Sequence, residues 1–203
     1  MPVARRTQAE RSASTQARLL DATLDCLVAL GFSATTTSVV AERAGVSRGA
    51  QLHHFPTRAA LVAAAVEHLF ARLTAEYQRG FAALPARADR LRAAIELLWS
   101  MYTAPHFPAV IEIDTAARTD AELRAHLEPI AERHTANVHR LAREYFPEAA
   151  SLGRRFDAVL ALLLDALRGM ASTPTPRPRA EVAARLDALH AVAAAALAPT
   201  ETR

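Results

Sequence analysis

Lysine does not occur in this chain, so all 24 of its basic side chains are arginines. Cysteine occurs once, at Cys26, which excludes an intramolecular disulfide and any zinc site built on several thiolates. Set in a helical pattern beside Leu27, it reads as a small buried hydrophobe. There is no Gly-rich phosphate loop, no nucleophile elbow and no HExxH pair, so no catalytic motif points to an enzyme, and no cofactor is expected. Hydrophobic residues make up 51% of the chain and mean hydropathy is +0.05, yet no uncharged apolar run has the ~20 residues needed to span a bilayer. Met1 to Arg18 is polar and lacks the apolar stretch of a signal peptide, so a cytoplasmic location away from membranes is expected. No segment alternates apolar and polar residues as a half-buried strand would. What is present is helical periodicity throughout, in 203 residues that suffice for a core: an all-α chain.

The charge is unevenly placed. Residues 1–60 hold seven Arg against four Asp and Glu, a balance of +3, whereas residues 61–203 hold seventeen of each. The whole net charge therefore sits on the N-terminal segment, as phosphate neutralisation requires. Residues 1–14 lack periodic apolar content and are expected to form a flexible basic arm, with Arg5, Arg6 and Arg11 able to reach a DNA backbone or minor groove. From Thr15 to Leu30 an amphipathic helix is predicted, carrying Leu19, Leu20, Leu24, Leu27 and Val28 and stopped by Gly31.

Thr35 to Leu61 is the most informative stretch. A short helix is predicted over Thr37–Ala44, capped by Thr35 or Thr36, with Val39, Val40 and Ala44 on its apolar face. Gly45 supplies the positive φ that ends it. Ser47 is then an N-cap for a second helix, Arg48 to about His54. Helix, Gly-containing turn and helix make a helix-turn-helix, whose second helix enters the DNA major groove. Pro56 breaks that helix and Thr57 caps the next, a long one from Arg58 to about Arg79.

The run Val40-Ala41-x-x-Ala44-Gly45-Val46-Ser47-Arg48-Gly49-Ala50-x-x-His53-His54-Phe55-x-x-Arg58-x-x-Leu61, with Gly31-Phe32 and Ala34-Thr35-Thr36 upstream, resembles the signature of the TetR family of bacterial transcriptional regulators. The resemblance covers roughly Arg18 to Leu61. It implies a three-helix DNA-binding domain over residues 15–60 and a helical effector-binding and dimerisation domain over 61–203. It further implies a homodimer on a palindromic operator, released when a small molecule moves the long helix shared by both domains. Ser47, Arg48, Gly49, Ala50, Gln51 and His53 are the expected groove-facing set, since Arg pairs with guanine and Gln with adenine. The family normally buries an apolar residue at the Gln51 position, and a slight rotation of the helix would put Leu52 inward instead. Thr36 and Arg58 are the expected phosphate contacts. The family usually has Leu-Tyr where this chain has Gln51-Leu52, and Leu52 cannot donate the Tyr hydrogen bond to a phosphate.

Beyond residue 80, helices are predicted over about 87–103, up to 118, 120–146, 148–170 and 179–197, with Pro129 expected to bend or interrupt the third of these. Two polar residues fall on otherwise apolar stripes: Asp114 with Phe107, Val110 and Ile111, and His134 with Leu127, Ile130 and Val138. Together with Trp99 and Tyr102, they are the kind of residues that orient a small molecule in an apolar pocket. Satisfaction by backbone groups is the structural alternative. Asp114, His126 and His134 follow no recognised metal-ligand spacing. The last two helices carry the stripes Phe156, Leu160, Leu163, Leu167 and Leu186, Leu189. By the resemblance these form the dimer interface as a four-helix bundle, whereas by pattern alone they can equally pack within one subunit. A helical enzyme or metal-binding protein with a vestigial DNA module, and a corepressor-type or ligand-independent regulator, are the alternative functions.

Overall fold

The computed structural model describes residues 7–173, 175 and 177–198, and among these it contains ten helices and no strand. Arg5 and Arg6 lie outside the described residues. The chain divides into two compact units, residues 1–72 with 105–131 and residues 73–104 with 132–203. Packing thus divides the molecule inside the fourth helix, not after residue 60, and returns 105–131 to the N-terminal unit.

In the first unit α1 spans Gln8–Ala34. It begins well before the expected Thr15 because Thr7 and Glu10 form a reciprocal capping box, the Thr7 hydroxyl accepting from the Glu10 amide and Glu10 accepting from the Thr7 amide. Arg11 is therefore a helix residue and not part of an arm. Helical geometry breaks at Gly31, whose φ of 76° and ψ of 171° lie in a region that glycine alone adopts without strain. α2 (Thr37–Ala44) and α3 (Arg48–His54) follow at the expected bounds. The first part of α4 (Arg58–Ala82), α6 (Phe107–Ala116) and the start of α7 (Ala121–Tyr145) complete the unit. Leu27 of α1, Val62 and Val66 of α4, Ile113 of α6, and Leu123, Leu127 and Ile130 of α7 share one core. Because these come from four helices, each contributes one stripe and none is apolar all round.

The second unit holds the end of α4, α5 (Arg90–Tyr102), the remainder of α7, the short α8 (Pro147–Ala150), α9 (Arg154–Ala171) and α10 (Arg179–Leu197). The helix expected over 148–170 is broken, since the chain turns at Ser151–Gly153 between α8 and α9. α7, by contrast, continues through Pro129. That proline is exposed and so is Ala125, whose carbonyl loses its i+4 donor on the outer side of the helix. Ile95, Leu163, Leu167 and Ala193 form the core of this unit, with Leu91, Leu98, Trp99, Tyr102, Leu186 and Leu189 packed around them. Phe81 stacks on Tyr145 with centroids 4.2 Å apart and carries the Arg90 guanidinium 4.4 Å over its ring. No described helix is long and apolar enough to cross a membrane.

Candidate nucleic-acid interface

The turn between α2 and α3 is built from both sides. The Thr36 hydroxyl accepts from the Val39 amide at 3.3 Å, capping α2. Gly45 closes α2 in the left-handed region, φ 59° and ψ 42°, and the Val46 amide reaches back to the Ala41 carbonyl at 2.9 Å. From α1, Arg18 donates to the carbonyls of Ala44 and Gly45. A β-carbon on Gly45 would meet the Arg18 guanidinium at 3.0 Å, a contact that the flexible side chain can relieve, so it is the positive φ that calls for glycine there. The Ser47 hydroxyl accepts from the Ala50 amide at 3.3 Å and starts α3.

A second junction sets the entry to α2. At the Gly31 break, Glu112 of α6 accepts from the Phe32 amide. The Phe32 carbonyl accepts from Arg58 at the start of α4, and Arg58 Nε donates to the Thr35 carbonyl at 2.8 Å. The same guanidinium lies 4.0 Å over the Phe32 ring. Arg58 is thus a tie between α4 and the α1–α2 linker. This corrects its expected role as a phosphate contact, because its Nε and Nη2 donors and its flat face are already engaged inside the module.

Of the other expected DNA-contacting residues, Thr36, Ser47, Arg48, Gly49 and His53 are exposed and Ala50 is half-buried. Gln51 is the second correction. It is fully buried, its Nε2 donates to the Phe55 carbonyl at 2.8 Å, and its Oε1 has no hydrogen-bond partner. It cannot read adenine from there. Leu52 stands outside in its place, 46% exposed. At ~100° per residue, Arg48, Leu52, Gly49 and His53 span one sector about 140° wide, with Leu52 inside it and Gln51 about 60° outside it, beyond Arg48.

The electrostatics agree with an anion-facing surface. α1 carries Asp21 and Asp25, and both are occupied: Asp21 by His68 at 3.1 Å and Arg72 at 3.4 Å, Asp25 by His106 at 3.2 Å and Arg43 at 3.7 Å. Cys26 is buried, and burial pushes its thiol up, partly offset by the positive charge of Arg43. A thiol held protonated is a poor redox sensor.

Residues 19–65 match the family model described as bacterial regulatory proteins, tetR family. An HTH-type transcriptional regulator of Mycobacterium tuberculosis is 31% identical over 182 residues, covering 87% of this chain and 91% of the relative. The chain belongs to the TetR family. The HTH-type transcriptional regulator CymR of Pseudomonas putida is 32% identical over 170 residues, 82% of either protein. A transcriptional regulator of Rhodococcus sp. Rha1 shares the fold with a TM-score of 0.68 at 23% identity, covering 87% of this chain and 94% of its own. The multidrug binding protein EbrR, solved in complex with imidazole, gives a TM-score of 0.64 at 20% identity over 92% and 96% of the two chains. This TetR-family member is a DNA-binding transcriptional regulator, and α2 and α3 are its helix-turn-helix.

The residues expected to hold an effector fall in both units. Phe107, Ile111 and Asp114 are in the first and Trp99, Tyr102 and His134 in the second, so neither unit gathers all six. Asp114 is exposed, which corrects its placement on a dry stripe: α6 turns Phe107, Ala109, Val110 and Ile113 inward, and Asp114 falls beside that face. His134 is half-buried, and burial pushes its imidazole below the usual 6.5. Tyr102 is half-buried too, its hydroxyl raised by burial against the lowering influence of Arg168.

The dimer-interface residues need the largest correction. Phe156, Leu163 and Leu167 are buried within the subunit, and Leu186 and Leu189 pack on the same core as Ile95 of α5. Leu160 is half-buried. α9 and α10 each turn an apolar stripe onto that core and leave further apolar residues, among charged ones, on an outward face, and a stripe in sequence does not say which faces home. The outward one carries Leu162, 69% exposed, and Val192, 67% exposed, among exposed alanines at 158, 161, 188, 191 and 195.

Proposed function

We propose that this regulator is a cytoplasmic repressor, without enzymatic activity, that binds a palindromic operator as a homodimer and is released by a small organic effector. One observation carries the reading. The helix-turn-helix that presents Arg48, Gly49 and His53 is tied at its turn by Arg18 of α1 and at its entry by Arg58 of α4, so its position follows α1 and α4. A single seven-residue helix offers too few contacts for a unique site, and two copies held at fixed spacing supply the rest. The outward Leu162–Val192 surface of α9 and α10 is the dimer seam in this reading. An effector enters by linkage: it must bind the DNA-free geometry better than the DNA-bound one, and α4 and α6, both tied to the Gly31–Thr35 junction, carry the difference. The imidazole complex of EbrR supports a small organic effector as the class.

The test is selection of duplexes from a random pool by the full-length protein, followed by a screen for compounds that release the selected DNA. Two inverted half-sites whose centres lie a whole number of helical turns apart, bound by a dimer in sedimentation, are expected. A single asymmetric site bound by a monomer overturns the homodimer reading. Compounds that only tighten binding would make the protein a corepressor-dependent regulator.

A further inference from the structure

α3 is turned against its own hydrophobic pattern. Placing Leu52 inward and Gln51 outward would bury an alkyl group and hydrate an amide, and a rotation by one residue position separates the two arrangements. The structure adopts the other one, with Gln51 fully buried, one amide oxygen unpartnered and Leu52 46% exposed. The Gln51–Phe55 hydrogen bond holds that rotation, since Phe55 is itself 6% exposed and cannot follow the helix round. Local rules broken in this way without a packing gain mark a functional position.

The exposed leucine sits at a telling place. On a helical wheel it lies about 40° from Arg48 and about 60° from Gly49, inside the exposed sector and not at its edge. A tyrosine at this position is long enough to reach out to a phosphate, whereas the shorter isobutyl group of Leu52 ends nearer the helix, facing the base edges on the groove floor. An isobutyl group offers neither donor nor acceptor. The base edges of the major groove offer one apolar group to match it, the 5-methyl of thymine. Gly49, beside it and without a side chain, lets the helix come close enough for van der Waals contact.

We propose that Leu52 is a specificity-determining residue that packs on the 5-methyl group of one thymine in each half-site. This rests on α3 being the recognition helix. The duplex selected by the full-length protein is remade with each thymine in turn replaced by deoxyuridine, which removes the methyl and leaves every hydrogen-bonding group. At one thymine per half-site the loss of affinity is expected to be about three- to fivefold, the effect of uncovering one methyl group. Leu52→Ala should bind the thymine duplex weaker by at least that factor and become indifferent to deoxyuridine at that position. Leu52→Met should retain the discrimination, and both variants should melt like the parent because the side chain is exposed. Three results overturn the proposal: no thymine is sensitive, Leu52→Ala stays as sensitive as the parent, or Leu52→Ala weakens all duplexes equally, as a sugar-phosphate contact would. Arg48→Ala separates the two levels of inference. If it abolishes selection while no deoxyuridine matters, α3 reads DNA but Leu52 does not read thymine. If the parent itself selects no sequence, both readings fall.

Discussion

At the scale of single residues, Arg48 and Gln51 make opposite predictions. Arg48 is exposed, and among the described residues no partner claims its guanidinium in the way Arg58 is claimed. Arg48→Ala is expected to cost about 1–3 kcal/mol on the selected operator and to relax preference at one base position, read by competition with single-base variants. Gln51→Glu places a carboxylate where no donor waits and sets it against the Phe55 carbonyl. Burial favours the neutral acid, so the folded-state pKa lies above the unfolded value of ~4.3. The folded state then binds the extra proton, and stability falls as pH rises above that value. The melting temperature of Gln51→Glu should therefore sit well below the parent's at pH 7 and recover toward pH 5. His134 titrates with the other sign. Its imidazole is held below 6.5 by burial, so the unfolded state takes up the proton first and stability declines as pH falls through and below that value. His134→Gln should flatten that part of the stability profile between about pH 6.5 and 5, measured by denaturant titration.

Single elements are positioned by their ends. α2 and α3 are too short to be stable alone, and their geometry comes from Arg18 at the turn and from Arg58 and Glu112 at the Gly31–Thr35 junction. Two charge-assisted hydrogen bonds and a stacked ring are lost in Arg58→Ala, on the order of 2–3 kcal/mol for a partly buried group. The variant should melt several degrees lower and bind DNA more weakly. Its plot of log affinity against log salt should keep the parent's slope if Arg58, with Nε and Nη2 engaged inside the module, neutralises no phosphate. A slope reduced by about one would restore it to the phosphate contacts. The same junction ties α6 to the entry of the helix-turn-helix, although α6 lies outside that motif in sequence.

For the whole molecule the surface to test is the proposed dimer seam on the outer face of α9 and α10. Leu162→Glu or Val192→Glu places a charge on a side chain that is two-thirds exposed in the subunit, so the fold should survive while the dimer separates. Leu167→Glu places it at a fully buried position beside Ile95 and should unfold the subunit. Sedimentation and circular dichroism distinguish the two outcomes. A Leu162→Glu protein that remains dimeric would move the seam elsewhere.

Sequence alone was sufficient wherever the cause of a structure is local. Gly45 ends α2 because only glycine is comfortable at that φ, Ser47, Thr57 and Asp120 cap the helices that follow them, and periodicity identifies the apolar stripes. Those causes act over three or four residues, so they are legible in a string of letters, and with them the helix-turn-helix and the family. Tertiary structure decided every question of direction. Gln51 and Leu52 are adjacent, and which of them turns inward depended on the Phe55 carbonyl and the core beneath it. Arg58 was diverted from DNA by Phe32 and Thr35, more than twenty positions away in the chain. The stripe of Leu163 and Leu167 was claimed by α5, leaving Leu162 outside. A stripe specifies that a face is buried, and only the packed molecule specifies against what.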